Sequence, residues 1–133
     1  TATNNGVELS AEVSLLNNWN TRIAYTYTQT TLYTQFPQQK NAITIDTNYL
    51  FTTKWLIGCG ATCVGGRRQE DFTAGTIVDL PTYATLRFYS RYEINKHAAV
   101  TARVENATNT AYETRLGYPV LPIGFYGGVE ISF

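Results

Sequence analysis

Apolar and polar residues alternate along most of this chain with a period of two, the period of a strand whose two faces meet different surroundings. From about Gly6 to Leu16, Val7, Leu9, Ala11, Val13 and Leu15 share one face, and Glu8, Ser10, Glu12 and Ser14 share the other. In the last ten residues Phe125, Gly127, Val129, Ile131 and Phe133 oppose Tyr126, Gly128, Glu130 and Ser132. Between them the same pattern predicts five more strands. The second sets Trp19, Ile23, Tyr25 and Tyr27 against Asn20, Arg22, Ala24, Thr26 and Thr28, fading into a long polar loop with Pro37. The third, Asn41 to Phe51, sets Ile43, Ile45, Tyr49 and Phe51 against Thr44, Asp46 and Asn48. The fourth carries Trp55, Ile57, Cys59, Ala61 and Cys63 on the apolar phase, and Gly65-Gly66-Arg67-Arg68 then opens the longest loop. The fifth, about Thr82 to Glu93, and the sixth, with Ala98, Val100, Ala102 and Val104 against Thr101, Arg103 and Glu105, precede a third loop over about Asn106 to Ile123. No segment has the i, i+3, i+4, i+7 pattern of a surface helix, and the abundant Tyr, Phe and Thr suit strands. The chain reads as all-β.

Two regularities choose a surrounding for these strands. They are about ten residues long, roughly what a tilted strand needs to cross a hydrocarbon layer. Their connections alternate between turns of a few residues (Asn17-Asn18, Thr52-Thr53-Lys54, Ile94-Asn95-Lys96) and long loops, as in outer-membrane barrels with short periplasmic and long external connections. Every charged residue within a strand (Glu8, Glu12, Arg22, Asp46, Arg87, Arg91, Glu93, Arg103, Glu105, Glu130) lies on the polar phase. Trp19 and Trp55 follow tight turns, with Phe51, Tyr92 and Phe133 at matching depth, which suggests an interfacial girdle. A soluble antiparallel sandwich would also alternate, but it has no reason to gather aromatics at one end of each strand.

Composition narrows the partners. Formal net charge is zero, so nucleic acid is not an expected partner, and no apolar run is long enough for a transmembrane helix. The absence of Met and of a charged-then-apolar leader suggests a processed chain or a piece of a longer one. Strand count favours a piece. A single-chain bacterial barrel has an even number of strands, and an open sheet with two unpaired edges is not stable in lipid.

At Arg103-Val-Glu-Asn-Ala-Thr-Asn-Thr-Ala-Tyr-Glu-Thr114, followed by Gly117-Tyr118-Pro119, the chain resembles the penultimate strand and last external loop of TonB-dependent outer-membrane receptors of the cobalamin and siderophore type. Their cobalamin branch repeats an Asn-(Leu/Ala)-(Thr/Phe)-(Asn/Asp) run, a Tyr-Glu pair and a Gly-Tyr pair there. Tyr126-x-Gly128-x-x-Ile131-x-Phe133 is similar to the signal read by the barrel-assembly machinery. The family's last loop often carries Pro-Gly-Arg where this chain has Pro122-Ile123-Gly124, so no contact by that Arg is inferred. The resemblance implies that residues 1–133 form the carboxy-terminal part of a barrel of about twenty-two strands, with the plug domain outside this chain. It implies active uptake of a ferric siderophore or cobalamin, powered by TonB through the plug. Outer-membrane lipid, the remaining strands and the plug would be its partners. Selectivity would come from loops and lumen, where Arg67, Arg68 and Tyr118 are the nominated ligand contacts; otherwise they are solvated loop residues.

Other candidate chemistry is weaker, and no cofactor or metal is expected. Cys59 and Cys63 lie four residues apart on one strand face, roughly 13 Å, too far for a disulfide or a shared zinc ion. They read as small wall residues. His97 sits beside a tight turn at the periplasmic end without evident catalytic partners. Glu70, Asp71 and Asp79 could offer oxygen ligands to calcium but lack regular spacing. Asn106-Ala107-Thr108 matches a glycosylation acceptor and reads instead as strand-end turn chemistry. Enzyme activity is the weakest reading. The alternative to a receptor is a passive pore or structural barrel assembled from more than one chain, and a soluble binding module is the third.

Overall fold

The computed structural model describes residues 3–31 and 38–133, so the expected loop around Pro37 lies outside the described residues. Seven long strands form one antiparallel sheet: β1 (Asn4–Leu16), β2 (Trp19–Thr30), β3 (Gln38–Thr52), β4 (Trp55–Asp71), β6 (Tyr83–Asn95), β7 (Ala98–Glu105) and β10 (Gly124–Ile131). They follow one another around the sheet in chain order. Three short strands complete the described structure: β5 (Thr76–Leu80), which pairs with the far half of β4, and β8 (Glu113–Arg115) with β9 (Tyr118–Pro119), a separate hairpin in the last loop. Strands β1 and β10 are the two edges.

The register carries the sequence alternation coherently across all seven long strands. Ala11, Ile23, Ile45, Ala61 and Leu86 lie opposite one another in turn on the apolar face, and Glu12, Arg22, Asp46, Gly60 and Arg87 form the next rung on the polar face. Among the described residues nothing is stacked on the apolar face. Leu9, Phe125 and Val129 are each more than 60% exposed, and the only buried apolar side chains among the described residues are Val64, Leu80 and Ala99. The accessible surface is 9298 Å², against roughly 7,000 Å² expected for a globular monomer of this mass. A sandwich formed by this chain would bury that face in a second sheet, and the described residues supply none.

The two ends of the sheet differ. At one end, turns at residues 17–18, 53–54 and 96–97 join consecutive strands. A carbonyl in each (Asn18, Lys54, His97) accepts a backbone N–H from the following neighbour strand, from Leu50, Glu93 and Ser132 respectively. Of the five aromatics expected here, Trp19, Phe51 and Trp55 gather with Tyr49, and Tyr92 lies opposite Trp55 in the neighbouring strand. Trp19, Tyr49, Phe51 and Trp55 pack edge to face in a chain, with centroids 6.1, 6.4 and 5.3 Å apart. Both indoles are satisfied on the apolar face, Trp19 Nε1 donating to Thr47 Oγ1 and Trp55 Nε1 to Ser90 Oγ, each at 2.8 Å.

At the other end the sequence reading needs correction. Gly65-Gly66-Arg67-Arg68 does not open a loop; β4 runs through it for 17 residues to Asp71. Gly66 adopts φ +61°, opposite Lys40. Pairing on both sides outweighs the poor strand propensity of the two glycines. Gln38 and Gln39 lie opposite Arg68 and Arg67 on one side, and Leu80 to Thr76 oppose Arg67 to Asp71 on the other. Val64 faces Tyr83, and three positions further on each strand Arg67 faces Leu80, so β5 and β6 keep one register along β4. They are one strand interrupted at Pro81-Thr82, where proline has no N–H to donate.

Candidate functional site

The polar face is held by side chains that reach across strands, and two glycines make room for them. Gly58 and Gly60 on β4 put no side chain between β3 and β6, so Arg87 and Tyr89 of β6 cross over β4 to Asp46 of β3. The Arg87 guanidinium pairs with Asp46 Oδ2, and the Tyr89 hydroxyl donates to Asp46 Oδ1 at 2.8 Å. A Cβ on Gly58 would run into the Tyr89 ring, and one on Gly60 would lie 2.6 Å from Arg87 Nε. Other groups spread the network sideways. Glu12 accepts from Asn20 at 2.7 Å and Arg22 at 2.9 Å, while Arg91 bridges Glu93 at 2.6 Å and Glu130 at 2.9 Å. Arg103 lies over the Tyr126 ring at 4.6 Å, with Glu105 3.7 Å away.

The loop end is built around Arg67 and Asn106. Arg67 is 2% exposed; its Nη1 donates to the Glu113 carbonyl at 2.7 Å, and its Nη2 to the Pro81 carbonyl at 3.0 Å. The guanidinium covers Tyr83 at 4.7 Å, and Tyr83 stacks on Tyr112 at 3.8 Å. Buried Gln69 accepts from Leu116 N at 3.0 Å. Together these groups clamp the β4–β5 hairpin to the hairpin of the last loop. Asn106, buried and at φ +48°, ties both ends of that loop: its Nδ2 donates to the Thr110 and Leu121 carbonyls, and its Oδ1 accepts from Thr110 N. Asparagine tolerates this left-handed backbone and supplies the bonds, which is the turn chemistry the sequence suggested.

The nominated residues fall in different places. Arg67 is an internal strut whose two terminal nitrogens donate to the Glu113 and Pro81 carbonyls, while its buried Nε has no partner among the described residues. Arg68 pairs with Asp79 at 2.6 Å on the outer side of the hairpin. Tyr118 is exposed on β9 beneath Arg115, whose guanidinium lies 4.1 Å from its ring. Of the terminal residues, Tyr126 and Gly128 fall on the polar face, while Ile131 and Phe133 are exposed, Ile131 on the apolar face. Cys59 and Cys63 are free thiols opposite Thr47 and Ile43. His97 Nδ1 lies 3.1 Å from the Ser132 carbonyl, so it fastens the last strand to the turn. The loop acids are engaged locally, Asp79 with Arg68 and Asp71 Oδ1 capping the turn amides of Thr73 and Ala74. Sequence reasoning missed Gln69, Tyr83, Tyr112 and the glycine window at 58 and 60. The only signal for the window was two glycines on one phase, opposite the phase of Cys59.

Comparison with known proteins fits this geometry. The family model described as TonB dependent receptor-like, beta-barrel matches residues 1–107. Among solved structures, the ferric-catecholate import receptor Fiu of E. coli K12 is similar over 98% of this chain and 21% of its own, with TM-score 0.80 and 22% identity. FpvA of P. aeruginosa, solved with a heterologous pyoverdine and iron, matches over 99% of this chain and 20% of its own, with TM-score 0.81 and 19% identity. The siderophore receptor PiuA of Acinetobacter baumannii matches over 98% and 22%, with TM-score 0.76 and 18% identity. The chain thus spans about a fifth of each solved receptor, and at these identities the likeness establishes the fold. A search of curated protein sequences returns no match.

Proposed function

The chain belongs to the TonB-dependent receptor β-barrel family, whose members lie in the bacterial outer membrane, and from that premise we propose that it forms part of the wall of a receptor for active uptake of a ferric siderophore. The observation that carries the reading is the one-layer sheet with an uncovered apolar face and an ion-paired polar face, which suits lipid outside and a hydrated, plugged lumen inside. Residues 1–133 would form the carboxy-terminal part of the barrel, with the remaining strands pairing to β1 and β10 and a plug outside this chain conveying energy from TonB. Tyr126, Gly128, Ile131 and Phe133 would be read by the assembly machinery. Ligand contact would come from Arg68 and Tyr118 at the external rim, with Arg67 holding both hairpins in place. Siderophores are preferred because PiuA is named as a siderophore receptor, Fiu as a ferric-catecholate import receptor, and FpvA was solved with a pyoverdine and iron. Cobalamin is the second reading, favoured by the Asn106 to Tyr118 segment.

Intact mass and labelled-ligand uptake test this together. The polypeptide carrying these residues, extracted from its membrane in mild detergent, should weigh several times the 14.9 kDa of this chain. Cells expressing it should take up labelled ferric siderophore only while TonB is functional. TonB-independent uptake would favour a passive pore, and TonB-dependent uptake of cobalamin alone would replace the siderophore.

A further inference from the structure

On the polar face near β10 the wall has a recess of about 590 Å³, lined by Tyr89, Arg91, Thr101, Arg103, Tyr126 and Gly128. Its floor stays open because Gly128 has no side chain: a Cβ there would lie 2.8 Å from Thr101 Oγ1. The two arginines on its rim are not equivalent. Arg91 is paired with two carboxylates, Glu93 through Nη1 and Glu130 through Nε. Arg103 reaches its nearest carboxylate, Glu105 two residues along the same strand, only at 3.7 Å, beyond hydrogen-bonding distance, and its planar group rests on Tyr126. Among the described residues, which supply no strand on the far side of β10, no hydrogen bond engages its N–H donors, and the Thr101 side chain lines the same recess.

We propose that Arg103 and Thr101 form a carboxylate-binding site in the lumenal wall. A guanidinium presents paired donors matched to a carboxylate, the Thr101 hydroxyl adds a third, and the Tyr126 face holds the guanidinium plane. Two sources can supply the group: an acidic side chain from the part of the receptor that fills the lumen, or a carboxylate of the nutrient in passage. The first rests only on the fold and the second also on the uptake reading above.

The test is zero-length coupling in the full-length receptor. Arg103→Lys places an amine at the same point, and a carbodiimide joins it to a touching carboxyl as an amide while the reagent takes up the elements of water as a urea. Peptide mapping then identifies the partner. Thr101→Lys reports on the same recess should the first variant fail to fold. Coupling to an acid from outside this wall in the resting receptor, exceeding coupling at exposed Lys96 by on the order of tenfold as proximity dictates, would identify the protein source. Coupling that appears only with a citrate-based ferric siderophore would identify the nutrient. Coupling confined to Glu93, Glu105 or Glu130, or none with either variant folded, overturns the site. A resting-state crosslink in a receptor that transports nothing would keep the site and discard the uptake reading.

Discussion

At single residues, the polar face depends on what is missing as much as on what is present. Gly58 and Gly60 let Asp46 serve two partners from a strand that is not its neighbour, an arrangement that a side chain at either position would interrupt. Gly58→Ala should swing the Tyr89 ring away and remove its bond to the Asp46 carboxylate, costing about 1–2 kcal/mol. Tyr89→Phe should cost about as much, since it deletes the same bond. Because both act on one interaction, the double variant should cost less than the sum, and unfolding followed by heat-modifiable gel mobility reads all three. Strict additivity would mean that Gly58→Ala does not act through the Tyr89–Asp46 bond. Asn106 offers a second case, since conformation and bonding can be separated there. Asn106→Gly keeps access to positive φ but loses the side-chain bonds, whereas Asn106→Ala loses both. The alanine variant should be the less stable by about 1 kcal/mol, measured by the same mobility assay.

At the scale of elements, the alternation made the seven wall strands legible, because one face meets an apolar and the other a polar medium along their whole length. Boundaries for β7 and the start of β10 followed directly. What the pattern did not show was how β4 continues past Gly65. There both faces leave the membrane, the period-two signal has no apolar medium to report, and the strand is held by partners remote in sequence: Gln38 on one side and Thr76 to Leu80 on the other. The nomination of Arg67 as a ligand contact met the same difficulty. An arginine after two glycines reads as a solvated loop residue, and only the return of residues 112–116 over it makes the position interior. This clamp gives a prediction at its own scale. Arg67→Met should leave the wall strands intact but strip the Glu113 and Pro81 carbonyls of their donor, at about 2–4 kcal/mol locally. Limited proteolysis should then cut within residues 107–123 several-fold faster, while cleavage elsewhere is unchanged. Unchanged loop cleavage would show that Tyr83, Tyr112 and Gln69 hold the two hairpins without it.

For the molecule as a whole, the decisive property is that its two faces must not be exchanged. A soluble β protein hides its apolar residues between layers; here Leu86, Ile45 and Ile23 stand exposed on a single layer, midway between the aromatic end and the external hairpins. Adjacent Thr85, opposite Thr62 and one strand from Thr44, faces the other way. A one-residue step along β6 thus crosses from one medium to the other. Leu86→Arg should cost about 2–4 kcal/mol and impair insertion of the full receptor into lipid vesicles, because the charge would lie near the middle of the hydrocarbon layer. Thr85→Arg adds the same charge to a face already crossed by Asp46, Arg87 and Glu105, where water and counter-charges are at hand, and should insert as the unmodified protein does. Equal insertion of both variants would contradict lipid on the Leu86 face. The reverse order would place the lumen on the side now assigned to the membrane, and with it the ion-paired network and the Arg103 recess.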